Sequence, residues 1–99
     1  MGSSIRIRIS SKMYSVLYTR EAKESIGRLS LKKKRQIKDA VERIADNQAV
    51  GKFLTGELKG LLSYRSGDYR IIYRRYHKEI LVLIRTIGHR KDVYKQARP

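Results

Sequence analysis

Cysteine and tryptophan are absent from this 99-residue chain, and proline and phenylalanine occur once each. Without thiols there is no disulfide framework and no cysteine nucleophile, a composition that suits a reducing cytosol. Two histidines with no cysteine leave too few ligands for a structural zinc site, so no metal and no cofactor are expected. No apolar run approaches the roughly 20 residues of a membrane-spanning helix. Nor does any stretch combine the basic start, apolar middle and small-residue cleavage site of a secretory signal. The expectation is a soluble, cytoplasmic protein. Acidic residues are scarce: 9 Asp+Glu stand against 24 Lys+Arg, a net charge of +15. Solubility alone asks for a net charge of about 2 to 8 in a small domain. The excess works against compactness, so an anionic partner is the economical explanation, with nucleic acid ahead of an acidic protein or a membrane surface.

What is present is patterned. Residues 1–12, "MGSSIRIRISSK", read as an appended leader or flexible extension, with Met13 as the natural start and 13–99 as one domain. The rival reading makes Ile5, Ile7 and Ile9, alternating with Arg6 and Arg8, an additional edge strand. "YSVLYT" (Tyr14–Thr19) is a strand. Thr19 then caps a helix with Ala22, Ile26 and Leu29 on one face, and Ser30 caps a second with Ile37, Ala40, Val41 and Ile44 as its stripe. Residues 46–60 hold three glycines and no clean period, which predicts an irregular connection with one helical turn. After it the period drops to two. Leu61–Arg65, Tyr69–Tyr76 and Glu79–Ile87 are three strands joined by hairpin-length links. The order strand–helix–helix–strand–strand–strand predicts an α+β fold: a two-helix hairpin packed on a twisted antiparallel sheet.

The charges are not spread evenly. Lys32, Lys33, Lys34 and Arg35 crowd the first turn of the second helix, where the macrodipole already presents positive charge. That is either a solvated face or a phosphate-contacting patch. A two-residue turn at Gly67-Asp68 sets Arg65 opposite Arg70, and Arg74 follows on the same face. Like charges directly opposed destabilise a strand pair, so these arginines form a phosphate site or are paired by a carboxylate such as Asp68 or Glu57. The segment "IGHRKDVY" (87–94) ends the last apolar run with a histidine, an arginine fork and an aromatic ring. Those three types together suit single-stranded RNA. Alternatively, Gly88 merely ends the strand, Tyr94 packs and His89 is solvated.

"YSVLYTREAKESIGRL", "LKG", "YRSGDYRIIYRR" and "IGHRKDVY" together resemble the RelE/ParE superfamily of toxins, in particular its RelE-type messenger-RNA interferases, from Tyr14 through Tyr94. The resemblance implies a RelE-like fold and a toxin of a type II toxin–antitoxin system. Its activity would be ribosome-dependent, metal-independent cleavage of messenger RNA in the A site, by attack of a 2′-hydroxyl to leave a 2′,3′-cyclic phosphate. Its partners would be the ribosome with its message and a cognate antitoxin. By the same resemblance Arg70 holds the scissile phosphate, Arg90 stabilises the transition state or leaving group, and Tyr94 orients the nucleotide by stacking. Arg65, Arg74, Lys32, Lys33, Lys34 and Lys91 are the expected RNA-contacting cations. The chain departs from the pattern at Leu61 and Ser63, where well-known members carry lysines. His89 and Lys59 are therefore the candidates for the general base. A ParE-like inhibitor of gyrase with the same fold, and an RNA-binding module without catalysis, are the alternatives.

Overall fold

Two hydroxyl side chains start the helices. In the computed structural model, which describes residues 13–89, Thr19 Oγ1 accepts from the Ala22 amide at 3.1 Å and opens α1 (Arg20–Gly27). Ser30 Oγ accepts from the Lys33 amide at 3.3 Å and opens α2 (Leu31–Asp46). Both caps satisfy an amide that lacks a helical partner. The stripe on α2 is Ile37, Ala40, Val41, Ile44 and Ala45, all buried, one residue wider than the sequence reading. The possible strand around Ile5–Ile9 lies outside the described residues.

Five strands form one sheet: β1 (Ser15–Tyr18), β2 (Lys52–Phe53), β3 (Leu62–Ser66), β4 (Tyr69–Tyr76) and β5 (Leu81–His89), in the order β1-β5-β4-β3-β2. The neighbours from β2 to β5 pair antiparallel, as expected for the C-terminal strands. The N-terminal strand instead lies parallel to β5, with Val16 opposite Val82. The α+β class stands, and the sheet is mixed rather than purely antiparallel. Residues 46–60, read as irregular, contain both β2 and a 3₁₀ turn at Gly56–Leu58. Gly67-Asp68 is the two-residue turn expected, pairing Ser66 with Tyr69 and Arg65 with Arg70. Gly67 takes a φ of 62°, the left-handed value that favours glycine at such a turn. Gln36 Nε2 on α2 donates to the Ser66 carbonyl at 2.9 Å and ties the hairpin to the helix layer.

The sheet has two unlike faces. Toward the helices it presents Leu62, Ile71, Tyr73, Val82, Ile84 and Ile87, which bury together with the α1 and α2 stripes. On the opposite face Ile72 and Leu61 pack under Leu54 and Leu58. Tyr73 is fully buried, and its hydroxyl donates to the Gln48 carbonyl at 2.8 Å and accepts from the Gly51 amide at 3.0 Å. That clamp fixes the approach to β2.

The register also shifts once. Ile72 faces Thr86 while Tyr73 faces Ile84, so Arg85 is an extra residue in β5. Such a bulge reverses the alternation beyond it. Val82 and Ile84 face the helices before it; Ile87 does so after it, with Thr86 on the opposite face. Thr19 Oγ1 donates to the Arg85 carbonyl, so the residue that caps α1 also satisfies the bulge.

Candidate functional site

Paired strands project directly opposed residues to the same face. Lys52 faces Ser63, Ser63 faces Ile72, and Ile72 faces Thr86, one row across the face away from the helices. The next row is Arg65, Arg70 and Gly88. Val50, Lys52, Ser63, Tyr64, Arg65 and Arg70 line a cleft of about 310 Å³. Three of those six are cations and none is a carboxylate. Gly88, opposite Arg70, brings no side chain over the guanidinium. Arg70 Nε is buried and finds no hydrogen-bond partner among the described residues, whereas Arg65 Nε donates to the Gly67 carbonyl at 3.3 Å. A buried guanidinium donor without an acceptor is costly unless an anion completes the site.

The expected site residues separate into groups. Arg65 and Arg70 share the cleft. Arg74 leaves the sheet on the same face, but it is exposed and holds its guanidinium over the Tyr76 ring, 5.4 Å from the centroid, outside the cleft. Lys59 follows the 3₁₀ turn, exposed, and is not among the lining residues. His89 faces Tyr69, one residue on from the Gly88–Arg70 pair, so it belongs to the helix-side face. Its ring meets the Tyr69 ring edge-on at 6.3 Å between centroids. Lys33 Nζ lies 5.7 Å from the centre of that same Tyr69 ring, so Lys33 joins this second group rather than the cleft. Lys32 is exposed and Lys34 half-buried. Gly88 does not end the strand, which runs on through His89. Arg90, Lys91 and Tyr94 lie outside the described residues.

Lys52 escaped the sequence reading. It stands in a glycine-rich stretch with no period, and only the β2–β3 register brings it to the arginines. The signal available was its strand-like neighbour Phe53, too short a cue to support a strand.

Comparison with known proteins gives the arrangement its context. Residues 16–94 match the family described as ParE toxin of type II toxin–antitoxin system, parDE. Toxin RelG of Mycobacterium tuberculosis is 43% identical over 47 residues, which cover 48% of this chain and 54% of RelG. The chain thus spans about half the length of that curated relative. The crystal structure of the toxin–antitoxin complex RelBE2 from Mycobacterium tuberculosis superposes with a TM-score of 0.72 at 30% identity, over 79% of this chain and 99% of that one. The isolated RelE toxin of E. coli shares the fold at 18% identity, with a TM-score of 0.67 over 85% and 94% of the two chains. Matched by the family model over most of its length, the chain belongs to the ParE toxin family of type II toxin–antitoxin systems, within the RelE/ParE superfamily.

Proposed function

We propose that the chain is a ribosome-dependent endoribonuclease that cuts messenger RNA in the A site, acts in the cytoplasm, and is silenced by a cognate antitoxin. The observation that carries this reading is the cleft, where two facing arginines and a lysine converge with no carboxylate among the described lining residues. Phosphate oxygens satisfy arginine forks two at a time. A cleft of this size on an open sheet face suits one nucleotide and its phosphate rather than a duplex. Several similar structures are toxin–antitoxin complexes, which supports an antitoxin partner.

In the reaction the 2′-oxygen forms a bond to phosphorus as the bond to the 5′-oxygen breaks, leaving a 2′,3′-cyclic phosphate. Arg70 holds the scissile phosphate, and its guanidinium meets the charge that builds on the non-bridging oxygens. Arg65 anchors a phosphate from the facing strand. The transition-state role of Arg90 and the stacking role of Tyr94 rest on the sequence resemblance. Among the described residues no histidine or carboxylate lines the cleft; with water as the proton carrier, the 2′-hydroxyl proton passes to one water and the 5′-oxygen takes a proton from another.

A gyrase-directed toxin is the second reading, favoured by the ParE description of the matching family. Purified ribosomes programmed with a defined message, read by primer extension, separate the two. Cleavage within the A-site codon is the expected result. Intact message together with inhibited supercoiling by purified gyrase would replace the first reading with the second.

A further inference from the structure

We propose that Lys52 is a further catalytic residue of the cleft, contacting the phosphate under attack; the proposal rests on the endoribonuclease reading above. Lys52 faces Ser63 across the β2–β3 pair, in the row beside Arg65 and Arg70, so its side chain leaves the sheet on their face. It lines the same cleft as both arginines. Three cations around one cavity repel each other, and no carboxylate in the lining offsets them. A bound anion would offset them, and Arg70 Nε, buried without a hydrogen-bond partner among the described residues, offers it a further donor.

The short strand that carries Lys52 is held from both sides. Before it, the Gly51 amide donates to the Tyr73 hydroxyl at 3.0 Å. After it, Phe53 lies under the Arg75 guanidinium, 4.7 Å from the ring centre, on the opposite face. Anchored at Gly51 and Phe53, the backbone holds the point from which Lys52 projects into the cleft, the kind of positioning that electrostatic catalysis uses. The ammonium is a compact point charge beside two planar forks. It donates to a non-bridging oxygen as the 2′-oxygen bonds to phosphorus and the 5′-oxygen departs with the electron pair. Lys52 keeps its proton throughout.

The experiment compares wild type, Lys52→Ala, Lys52→Arg, the double variant Lys52→Ala/Ser63→Lys, and Lys78→Ala as a charge-matched control in an exposed turn. Single-turnover cleavage on programmed ribosomes is measured with thermal melting of each protein. Lys52→Ala is expected to slow cleavage by about 10²-fold, the scale for loss of one donor to a developing oxyanion. Lys52→Arg retains most of the rate, the double variant regains at least tenfold by returning an ammonium to the facing position, and Lys78→Ala cleaves normally. Wild-type cleavage accompanied by equal cleavage from Lys52→Ala overturns the proposal and leaves the endoribonuclease reading intact. If wild type itself does not cleave, that reading fails, and binding of a short single-stranded RNA oligonucleotide decides the contact. Lys52→Ala should then flatten the plot of log affinity against log salt by about 0.7. An unchanged slope removes Lys52 from the site.

Discussion

Replacing Tyr73 by Phe removes one oxygen from the middle of the core, and its cost can be worked out bond by bond. The ring is fully buried, so the substitution leaves packing almost unchanged. The hydroxyl donates to the Gln48 carbonyl at 2.8 Å and accepts from the Gly51 amide at 3.0 Å. Two net hydrogen bonds contribute about 1 kcal/mol each, and an amide left without its partner costs about 1 to 3 kcal/mol when buried. Both partners sit in a loop partly open to water, so the lower end applies and the total is about 2 to 3 kcal/mol. A domain of this size has a stability on the order of 5 kcal/mol, so roughly half of it is removed. Urea unfolding followed by far-UV circular dichroism should show the midpoint falling by about 2 M with an unchanged slope, taking a slope of about 1 to 1.5 kcal/mol/M. The Gly51 amide should exchange with solvent much faster. A midpoint shift below about 0.5 M would refute the clamp.

The same hydroxyl sets an alkaline limit. Burial, the largest cause, pushes the Tyr73 hydroxyl above its ordinary value, and Tyr64 adds to the rise, while the Gly51 amide and Arg75 oppose it. In the unfolded chain tyrosine titrates near pH 10. The protonated form is therefore favoured by folding. That contribution is fully present below pH 10 and is lost as pH rises through the higher folded value. Tyr18 is raised too, by burial and then by Glu42. Tyr73→Phe should therefore reduce, and not abolish, the loss of stability above pH 10.

Arg70→Ala and Arg90→Ala should each slow ribosome-dependent cleavage by about 10²-fold, with melting temperatures close to wild type because relief of like-charge repulsion offsets lost packing. A variant cutting at full rate would end that residue's assignment. Gly51→Ala would place a Cβ 2.7 Å from the Tyr73 hydroxyl and 2.9 Å from the Ser63 carbonyl. Because backbone is involved, it should cost about 1 to 3 kcal/mol in urea unfolding. Co-expression tests the partner: the chain alone should arrest growth and its antitoxin should restore it. The association rate should fall as salt rises, since a net charge of +15 steers the encounter.

Much of the fold was legible because it rests on local chemistry. Thr19 and Ser30 cap helices where their hydroxyls meet an orphan amide, and Gly67-Asp68 sets a hairpin register from a turn of two residues. That register follows from the sequence alone, and it sets Arg65 opposite Arg70. What was not legible depends on partners distant in the chain. β2 is two exposed residues without a period, so Lys52 could not be placed. The direction of β1 is set by where α1 and α2 return the chain, and nothing in "SVLY" encodes it. The bulge was hidden because Leu81–Ile84 is apolar at every position and so carries no phase.

That hidden phase decides where the last segment can act. Extending the alternation of Val82 and Ile84 without a bulge would send Thr86 and Gly88 toward the helices, and Ile87 and His89 toward the cleft. The extra residue at Arg85 reverses this. Ile87 enters the main core, at about 1.5 to 3 kcal/mol for a buried side chain of its size, and Gly88 falls beside Arg70, where absence of a side chain keeps the guanidinium approachable. His89 is carried to the other face, against Tyr69 and near Lys33. Among the described residues the charged side chains lining the cleft are all cations, an arrangement suited to stabilising charge on a phosphate. His89→Ala should therefore cleave within about threefold of wild type on programmed ribosomes, while Arg70→Ala loses about 10²-fold. A loss from His89→Ala as large as that from Arg70→Ala, with the acidic limb of the pH–rate profile abolished, would show that the histidine transfers a proton in the reaction despite the face it occupies.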